Sequence, residues 1–378
     1  MPYSSLVKGW DHSIETYLEY HEKQKLLKLV THMWNFCNLG CPGCFVNKVS
    51  DPKDISGDAF KRKYQDEMFL DKRIELLKEA QSLGVKTVDY VGAGEPTLDP
   101  YFDVLVDTAN TLGIHVVVFT HGATDVLLKK ENLQKYIDKN ISFFIKLWSF
   151  DPDKEKTLVR GRIKDYSLKR NQALNNLKDL GFMNGEIIEI DGIQRKTTRV
   201  AADILVTKSN YHEIPDIFRY CRYNNIMPEI KTYIPEGPTR MDQLNEFVQL
   251  SHEEKEQLKK NEVNQKDFFI LRKQIEAIDE KEFGIKKMPY FYPQGHFCTQ
   301  SMAALYVDIR SNIYACVGTH HIYEKYTVGQ NILQKVLCSR IERVGLGCIP
   351  RLEDSKNRNI LLPKEEKDIL SLYSKEQE

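Results

Sequence analysis

Residues 36–45 read Phe-Cys-Asn-Leu-Gly-Cys-Pro-Gly-Cys-Phe, with cysteines at Cys37, Cys41 and Cys44. This C-x3-C-x2-C spacing sets three thiolates on one short loop, close enough to grip three corners of a cubane iron–sulfur cluster. The fourth iron then has no protein ligand from the loop, and an iron with an open position can bind and cleave something. Two other chemistries fit part of the pattern. Cys41-Pro42-Gly43-Cys44 alone is a redox C-x-x-C pair, for which Cys37 is surplus. A zinc site pairs one C-x2-C with a second pair or with histidines at matching spacing; His32 is near, but no second tight pair follows.

A second motif, Val-Gly-Ala-Gly-Glu-Pro-Thr-Leu-Asp-Pro, occupies residues 91–100. It follows the apolar run Lys86–Val91, which reads as a strand. Gly92 and Gly94 let a ligand approach the backbone with no Cβ in the way. Glu95 is a fixed acceptor at the strand end, suited to an ammonium group, and Pro96 stiffens the exit. Taken alone, the segment is a glycine-rich turn between strand and helix.

Together the two motifs resemble the radical SAM superfamily. The resemblance implies a [4Fe–4S] cluster on Cys37, Cys41 and Cys44, with S-adenosylmethionine (SAM) chelated at the open iron. One electron then breaks the sulfonium C–S bond, and the 5′-deoxyadenosyl radical takes a hydrogen atom from the substrate. Gly92, Gly94, Glu95 and Pro96 match the family's glycine–glutamate–proline motif, with Glu95 on the SAM ammonium. One departure stands out. The residue before the last cysteine is commonly aromatic in the family; here it is Gly43, with Phe45 after the triad.

Around the motifs, strands and helices alternate. Strand patterns at 25–36, 86–91, 114–120, 141–148, 198–207 and 227–234 are separated by helical patterns at 71–83, 101–112, 124–139, 166–180 and 211–224. Near-continuous apolar strands alternating with helices specify a parallel sheet buried on both faces. Six units are too few for a closed eight-stranded barrel. They suit an α/β fold with a partial (βα)6 parallel barrel, as the resemblance implies, and a small C-terminal cysteine-bearing α+β extension. The expected division is a lead-in at 1–24, helical or irregular, the barrel at 25–235, a helical connector at 236–292 and the extension at 293–378. Residues 181–197 read as a turn-rich insertion, and a charged helix is expected over 251–280.

Further SAM contacts are implied at the strand ends. Ser149, in Trp148-Ser149-Phe150-Asp151, and Arg160, in the downstream Arg160-Gly161, match the family's Ser-x-Asp segment and Arg-Gly pair. Arg160 is also readable as an exposed helix-start arginine. Asn210 matches a ribose-contacting position and equally an N-cap of the next helix. His121, in Thr120-His121-Gly122, lines the substrate pocket or forms a turn.

Cys298, Cys316, Cys338 and Cys348 fall in the last 81 residues. The segment 306–316 reads as a hairpin turning at Ser311-Asn312, because Asn tolerates positive φ; it would bring Cys298 and Cys316 together. The layout is similar to the SPASM or twitch extension of radical SAM enzymes, which implies a second, auxiliary [4Fe–4S] cluster on these four cysteines. Zinc also suits four thiolates, and buried unligated cysteines are the plainer alternative. Cys221 lies in the apolar stripe of a helix and reads as core; the sharper reading is a hydrogen-atom donor to a substrate radical.

Composition narrows the function. The 378 residues are 41% hydrophobic and carry 54 basic and 54 acidic side chains, so no general nucleic-acid footprint is expected. No apolar run reaches a membrane span and the N-terminus has no signal-peptide pattern, so a cytoplasmic site is expected, where eight cysteines suggest metal ligands over disulfides. The 36 residues before Cys37 are too few for a leader-binding winged helix. A small molecule such as a sugar, aminocyclitol or nucleotide is therefore the expected substrate, with dehydrogenation or epimerisation the favoured outcomes and a peptide the alternative. A low-potential electron donor such as flavodoxin or ferredoxin is the implied partner. A zinc-bearing binding module is the competing non-enzymatic reading.

Overall fold

The computed structural model describes residues 3–34, 36–41, 68–92, 94–159, 163–190, 193–232, 260, 263–285, 303–315 and 324–344. Their strands are β1 (Ser4–Val7), β2 (Lys28–Thr31), β3 (Thr87–Tyr90), β4 (His115–Thr120), β5 (Ile141–Lys146), β6 (Ile187–Ile190), β7 (Ile193–Thr198), β8 (Val200–Val206), β9 (Met227–Thr232), β10 (Ala304–Val307), β11 (Asn312–Tyr314) and β12 (Glu324–Lys325). Nine of them form one sheet in the order β12-β11-β10-β2-β3-β4-β5-β8-β9. From β10 through β2 to β9 every neighbouring pair is parallel. The apolar runs explain this: Val116–Val118 and Phe143–Ile145 are fully buried, as strands covered on both faces must be.

The expected α/β partial barrel is observed. A contact across the sheet shows its curvature. Lys231 Nζ on β9 lies 4.5 Å from the centre of the Phe119 ring on β4, although β5 and β8 intervene in the sheet order. Strands lie about 4.8 Å apart, so a flat sheet would separate β4 and β9 by about 14 Å. The sheet therefore curls, and this concave face is the lumen. Helices Leu70–Ser82, Phe102–Thr111, Tyr166–Asp179 and Ile214–Tyr223 join consecutive barrel strands and bury Leu76, Leu105, Leu174 and Phe218 against the core.

The N-terminal ends of the strands are plugged by residues 8–12. Lys28 Nζ donates to the Trp10 carbonyl, and Thr87 Oγ1 donates to the Gly9 carbonyl (2.5 Å). The Trp10 ring packs on Phe119 and Phe144 at 5.4 and 5.0 Å between centroids. At the same end, β1 joins β7 and β6 in a separate three-stranded sheet. A buried, bidentate Arg222–Asp279 pair (2.8 and 2.7 Å) ties helix Ile214–Tyr223 to the π-helical turn Asp279–Phe283, and Arg222 also donates to the Ser4 carbonyl at 2.8 Å.

Several expectations are refined. The lead-in holds a strand and the helix Ile14–Glu22, and the insertion at 181–197 is a hairpin of β6 and β7. The helix expected over 124–139 breaks into Asp125–Leu128, Lys130–Leu133 and the 3-10 turn Gln134–Tyr136, because Lys129 is extended (φ −104°, ψ 115°). The break lets Leu127, Leu133 and Tyr136 all face the core. In the connector the described helix is Gln265–Ile278. The β10–β11 hairpin is present, with the positive φ (70°) at Ser311 in place of Asn312. It continues the barrel sheet through β2.

Candidate active site

Both motifs leave the sheet at the C-terminal ends of adjacent parallel strands, β2 and β3, where folds of this kind build their sites. The two exits stay joined. Gly94 N–H donates to the Trp34 carbonyl (2.8 Å) and Glu95 N–H to the Phe36 carbonyl (2.7 Å). Glycine is required at 94 because a Cβ there would lie 2.0 Å from the Phe36 carbonyl oxygen. Gly92 takes φ +58°, and a Cβ on it would lie 2.2 Å from the Gly94 oxygen. The second motif is thus shaped against the backbone that presents Cys37.

Cys37 and Cys41 are buried and share a small apolar cluster with Leu39, Ala123, Trp148, Val159 and Tyr166. Leu39 N–H donates to Cys37 Sγ and Lys146 Nζ to Cys41 Sγ, both at 3.4 Å. Donors of this kind favour thiolate over thiol, the form a metal needs. Cys44 and Arg160 lie outside the described residues, as do Cys298, Cys316 and Cys348. Among the described residues no three of His, Cys, Asp or Glu are grouped to hold a metal ion.

Glu95 is 2% exposed and joins three elements. Its Oε1 accepts from Thr97 N–H (3.1 Å), Thr97 Oγ1 (2.6 Å) and Thr120 Oγ1 (2.6 Å), and its Oε2 accepts from His121 N–H (2.9 Å). A carboxylate offers about four lone-pair sites. With Oε1 crowded by three donors, Oε2 is the oxygen with capacity for an ammonium. His121 Nδ1 accepts from Ala123 N–H (3.0 Å), so the ring carries its proton on Nε2, which faces Asn38 Oδ1 at 2.7 Å and Glu95 Oε2 at 3.4 Å. Tyr166 O–H donates to the His121 carbonyl (2.9 Å). His121 therefore links the cysteine loop, through Asn38, to the end of β4.

Pro96 opens the short helical turn that Glu95 caps. Ser149 is buried and engaged: its hydroxyl donates to Glu213 Oε2 (2.7 Å) and accepts from Asp151 N–H (3.0 Å). Asn210 is also buried and saturated. It accepts from Thr207 N–H (2.7 Å) and donates to the Trp148 and Leu205 carbonyls (2.6 and 2.7 Å), stitching the ends of β5 and β8 together. Cys338, on helix Ile332–Val344, is partly exposed and lies 3.4 Å from Gln24 Oε1, at the end of the barrel opposite Cys37. Cys221 is fully buried, and burial pushes its thiol up to about 12, as a core cysteine requires.

Below the cysteine loop the lumen carries charges. Lys231 Nζ pairs with Asp203 Oδ1 at 2.8 Å. Asp89 is fully buried, and neither of its carboxylate oxygens has a hydrogen-bond partner among the described residues. Burial raises its carboxyl to about 6 against the pull of Lys28 and Lys231. Burial also raises Glu229 to about 8, with Asp11 and Asp203 adding to the effect and Lys231 and Lys28 opposing it. A carboxyl whose folded pKa lies above its unfolded value stabilises the fold fully at low pH and loses that contribution as pH rises, here between about 4.5 and 8. Glu229→Gln is therefore expected to gain on the order of 5 kcal/mol over the parent at pH 8.5 and little at pH 4.5. Urea unfolding at both pH values measures this, and parallel stability–pH curves would refute it.

Lys146, Thr97 and Tyr166 were not singled out by sequence. Lys146 had a signal, being the one charge in the run Ile141–Trp148. Tyr166 had none, since its partner comes from another element, whereas Thr97 lies in the second motif two residues after the Glu95 it bonds. The residues present fit an iron–sulfur group. Two buried thiols have donors aimed at their sulfurs, and the turn beside them is kept free of a Cβ at Gly94.

Residues 31–200 match the family model described as the radical SAM superfamily. An S-adenosylmethionine-dependent nucleotide dehydratase from Flammeovirga pacifica is 24% identical over 230 residues, which cover 60% of this chain and 68% of that protein. A tungsten-containing aldehyde ferredoxin oxidoreductase cofactor-modifying protein from Pyrococcus furiosus is 22% identical over 231 residues, 57% of each chain. Among solved structures, Streptococcus suis SuiB bound to the precursor peptide SuiA superposes with a TM-score of 0.56 at 16% identity, covering 85% of this chain and 68% of that one. At that identity the likeness is one of fold. The matched stretch of the barrel is thus similar to the radical SAM domain, a family that implies a [4Fe–4S] cluster and SAM.

Proposed function

We propose that this protein is a radical SAM enzyme that acts on a small polar molecule inside the barrel, with dehydrogenation or epimerisation as the favoured outcome. The carrying observation is the joint between the two motif loops, Gly94 N–H to Trp34 and Glu95 N–H to Phe36. It sets two of the three cysteines beside a buried carboxylate at the mouth of the lumen.

In this reading Cys37, Cys41 and Cys44 hold the cluster, and Gly92, Gly94, Glu95 and Pro96 border the bound SAM. When bound, the cluster and SAM together supply a 5′-deoxyadenosyl radical. The chain's own residues do the rest. Glu95 Oε2 takes the SAM ammonium, while Thr97, Thr120 and His121 N–H fix the carboxylate's orientation. Ser149 and Asn210 act one step back, holding the ends of β5 and β8 in place. Arg160 belongs to the same proposal as a carboxylate partner. The charged lumen of Asp89, Asp203 and Lys231 supports a substrate rich in hydrogen-bond donors and acceptors. A second cluster on Cys298, Cys316, Cys338 and Cys348 is also proposed, supported by the β10–β11 hairpin that Cys298 precedes and Cys316 follows. No helix among the described residues is long and apolar enough to cross a membrane.

The test is anaerobic purification and reconstitution, with iron and sulfide counted per chain and 5′-deoxyadenosine followed after SAM and a low-potential reductant are added. About eight irons are expected for two cubanes and about four for one. Zinc without sulfide, or intact SAM, would sink the enzyme reading.

A further inference from the structure

We infer that Lys146, held on the face of Trp148, poises the cluster for reduction by donating to the Cys41 sulfur, with the Trp148 indole N–H as a second donor in the same pocket. The inference rests on the proposed cluster at the cysteine loop. Lys146 is the last residue of β5. Its Nζ lies 3.4 Å from Cys41 Sγ and 4.4 Å from the centre of the Trp148 ring. The adjacent strand's Asp203, its register partner, is engaged by Lys231 at 2.8 Å. Trp148 is 5% exposed and packs in the same apolar cluster as Cys37 and Cys41. Its indole nitrogen is buried with no hydrogen-bond partner among the described residues. A buried donor left unmatched costs about 1–3 kcal/mol, so such groups normally face an acceptor. Thiolate or sulfide sulfur is the acceptor chemistry this pocket would contain.

The physical consequence has a fixed sign. Reduction adds one negative charge to the cluster. A cation and an N–H donor at its sulfurs, in a poorly solvated pocket, favour the more negative state. The indole face adds a cation–π contact and covers the lysine stem, which keeps the ammonium from turning out to water. Lys146 is thus a positioning residue for electron uptake, acting through Cys41.

The experiment is an EPR-monitored redox titration of the reconstituted parent, Lys146→Gln, Lys146→Arg and Trp148→Phe proteins, with iron and sulfide counted in each. At a fixed potential the ratio of reduced to oxidised cluster should fall about tenfold in Lys146→Gln, a midpoint lower by about 59 mV for one electron. Lys146→Arg keeps the charge and should stay within about twofold of the parent. Trp148→Phe keeps the ring but loses the donor and should fall about threefold. Equal midpoints in the parent and Lys146→Gln at matching iron content overturn the inference. Should Lys146→Gln hold no cluster, Trp148→Phe decides, and a parental midpoint there overturns it. A parent protein with no iron and sulfide overturns the radical SAM reading itself, and the inference falls with it.

Discussion

Cys41→Ala is expected to give a folded protein that takes up little iron on reconstitution and releases 5′-deoxyadenosine at less than about one-hundredth of the parental rate. Folding should survive because Cys41 is a small buried side chain, and its loss removes about one sulfur's worth of packing, on the order of 1 kcal/mol. The chemistry should not survive, because a cubane held by two thiolates of the loop has two irons without a protein ligand. Cys37→Ala should behave in the same way. That variant separates the competing chemistries, since a dithiol enzyme working through Cys41 and Cys44 would keep its activity without Cys37. Cys221→Ala is the control: its thiol lies in the core on helix Ile214–Tyr223, and iron uptake and SAM cleavage should both stay near parental. Iron, sulfide and 5′-deoxyadenosine measured side by side decide the matter. Parental SAM cleavage in Cys37→Ala would overturn the three-thiolate cluster on this loop.

The parts of the fold that sequence made legible are those whose signal is local. Strands β4 and β5 are largely apolar runs bounded by helical segments, and burial on both faces leaves little polar alternation to confuse the reading. The elements that escaped are those whose stability comes from partners. The hairpin strand β7, Ile-Gln-Arg-Lys-Thr-Thr, is polar along its length and pairs with β1 nearly two hundred residues away. Its one local mark is the Asp191-Gly192 pair before it, a two-residue hairpin signal. The segment 124–139 carries helical spacing throughout, yet one extended residue at Lys129 lets three separate side chains reach the core. Tertiary packing outweighs propensity there.

The site divides along the same line. Both motif loops could be read because each is contiguous in sequence. What orients them could not. Glu95 is held by Thr97 two residues on and by Thr120 and His121 from the next strand. The cysteine loop is braced by His121 on Asn38 and by Lys146 on Cys41. These contacts join strand ends that only a formed parallel sheet brings together. Ser149 and Asn210 show the converse. Each sits at a strand end that the motif pattern marks, but in the structure each is occupied with holding neighbouring backbone.

Glu95→Gln is expected to lower SAM affinity at least about tenfold while leaving the iron content near parental, a loss of about 1.4 kcal/mol or more. The substitution keeps the shape and removes one acceptor. Three donors converge on Oε1 and a backbone N–H on Oε2, so either orientation of the amide turns its NH2 toward a donor. One buried donor is then unmatched, which costs about 1–3 kcal/mol of stability as well. A purely structural Glu95 would show that stability loss and nothing specific to SAM. Thr120→Val provides the comparison. It removes one donor to Oε1, at a similar cost in stability, but leaves Oε2 and its negative charge in place. Under the ammonium-binding role, Thr120→Val keeps SAM affinity within about threefold of the parent and Glu95→Gln does not. Under a structural role, the two variants lose similar stability and do not differ in SAM affinity. Calorimetric titration of SAM into both reconstituted variants, beside their urea unfolding curves, separates a carboxylate that holds the ligand from one that only holds the turn.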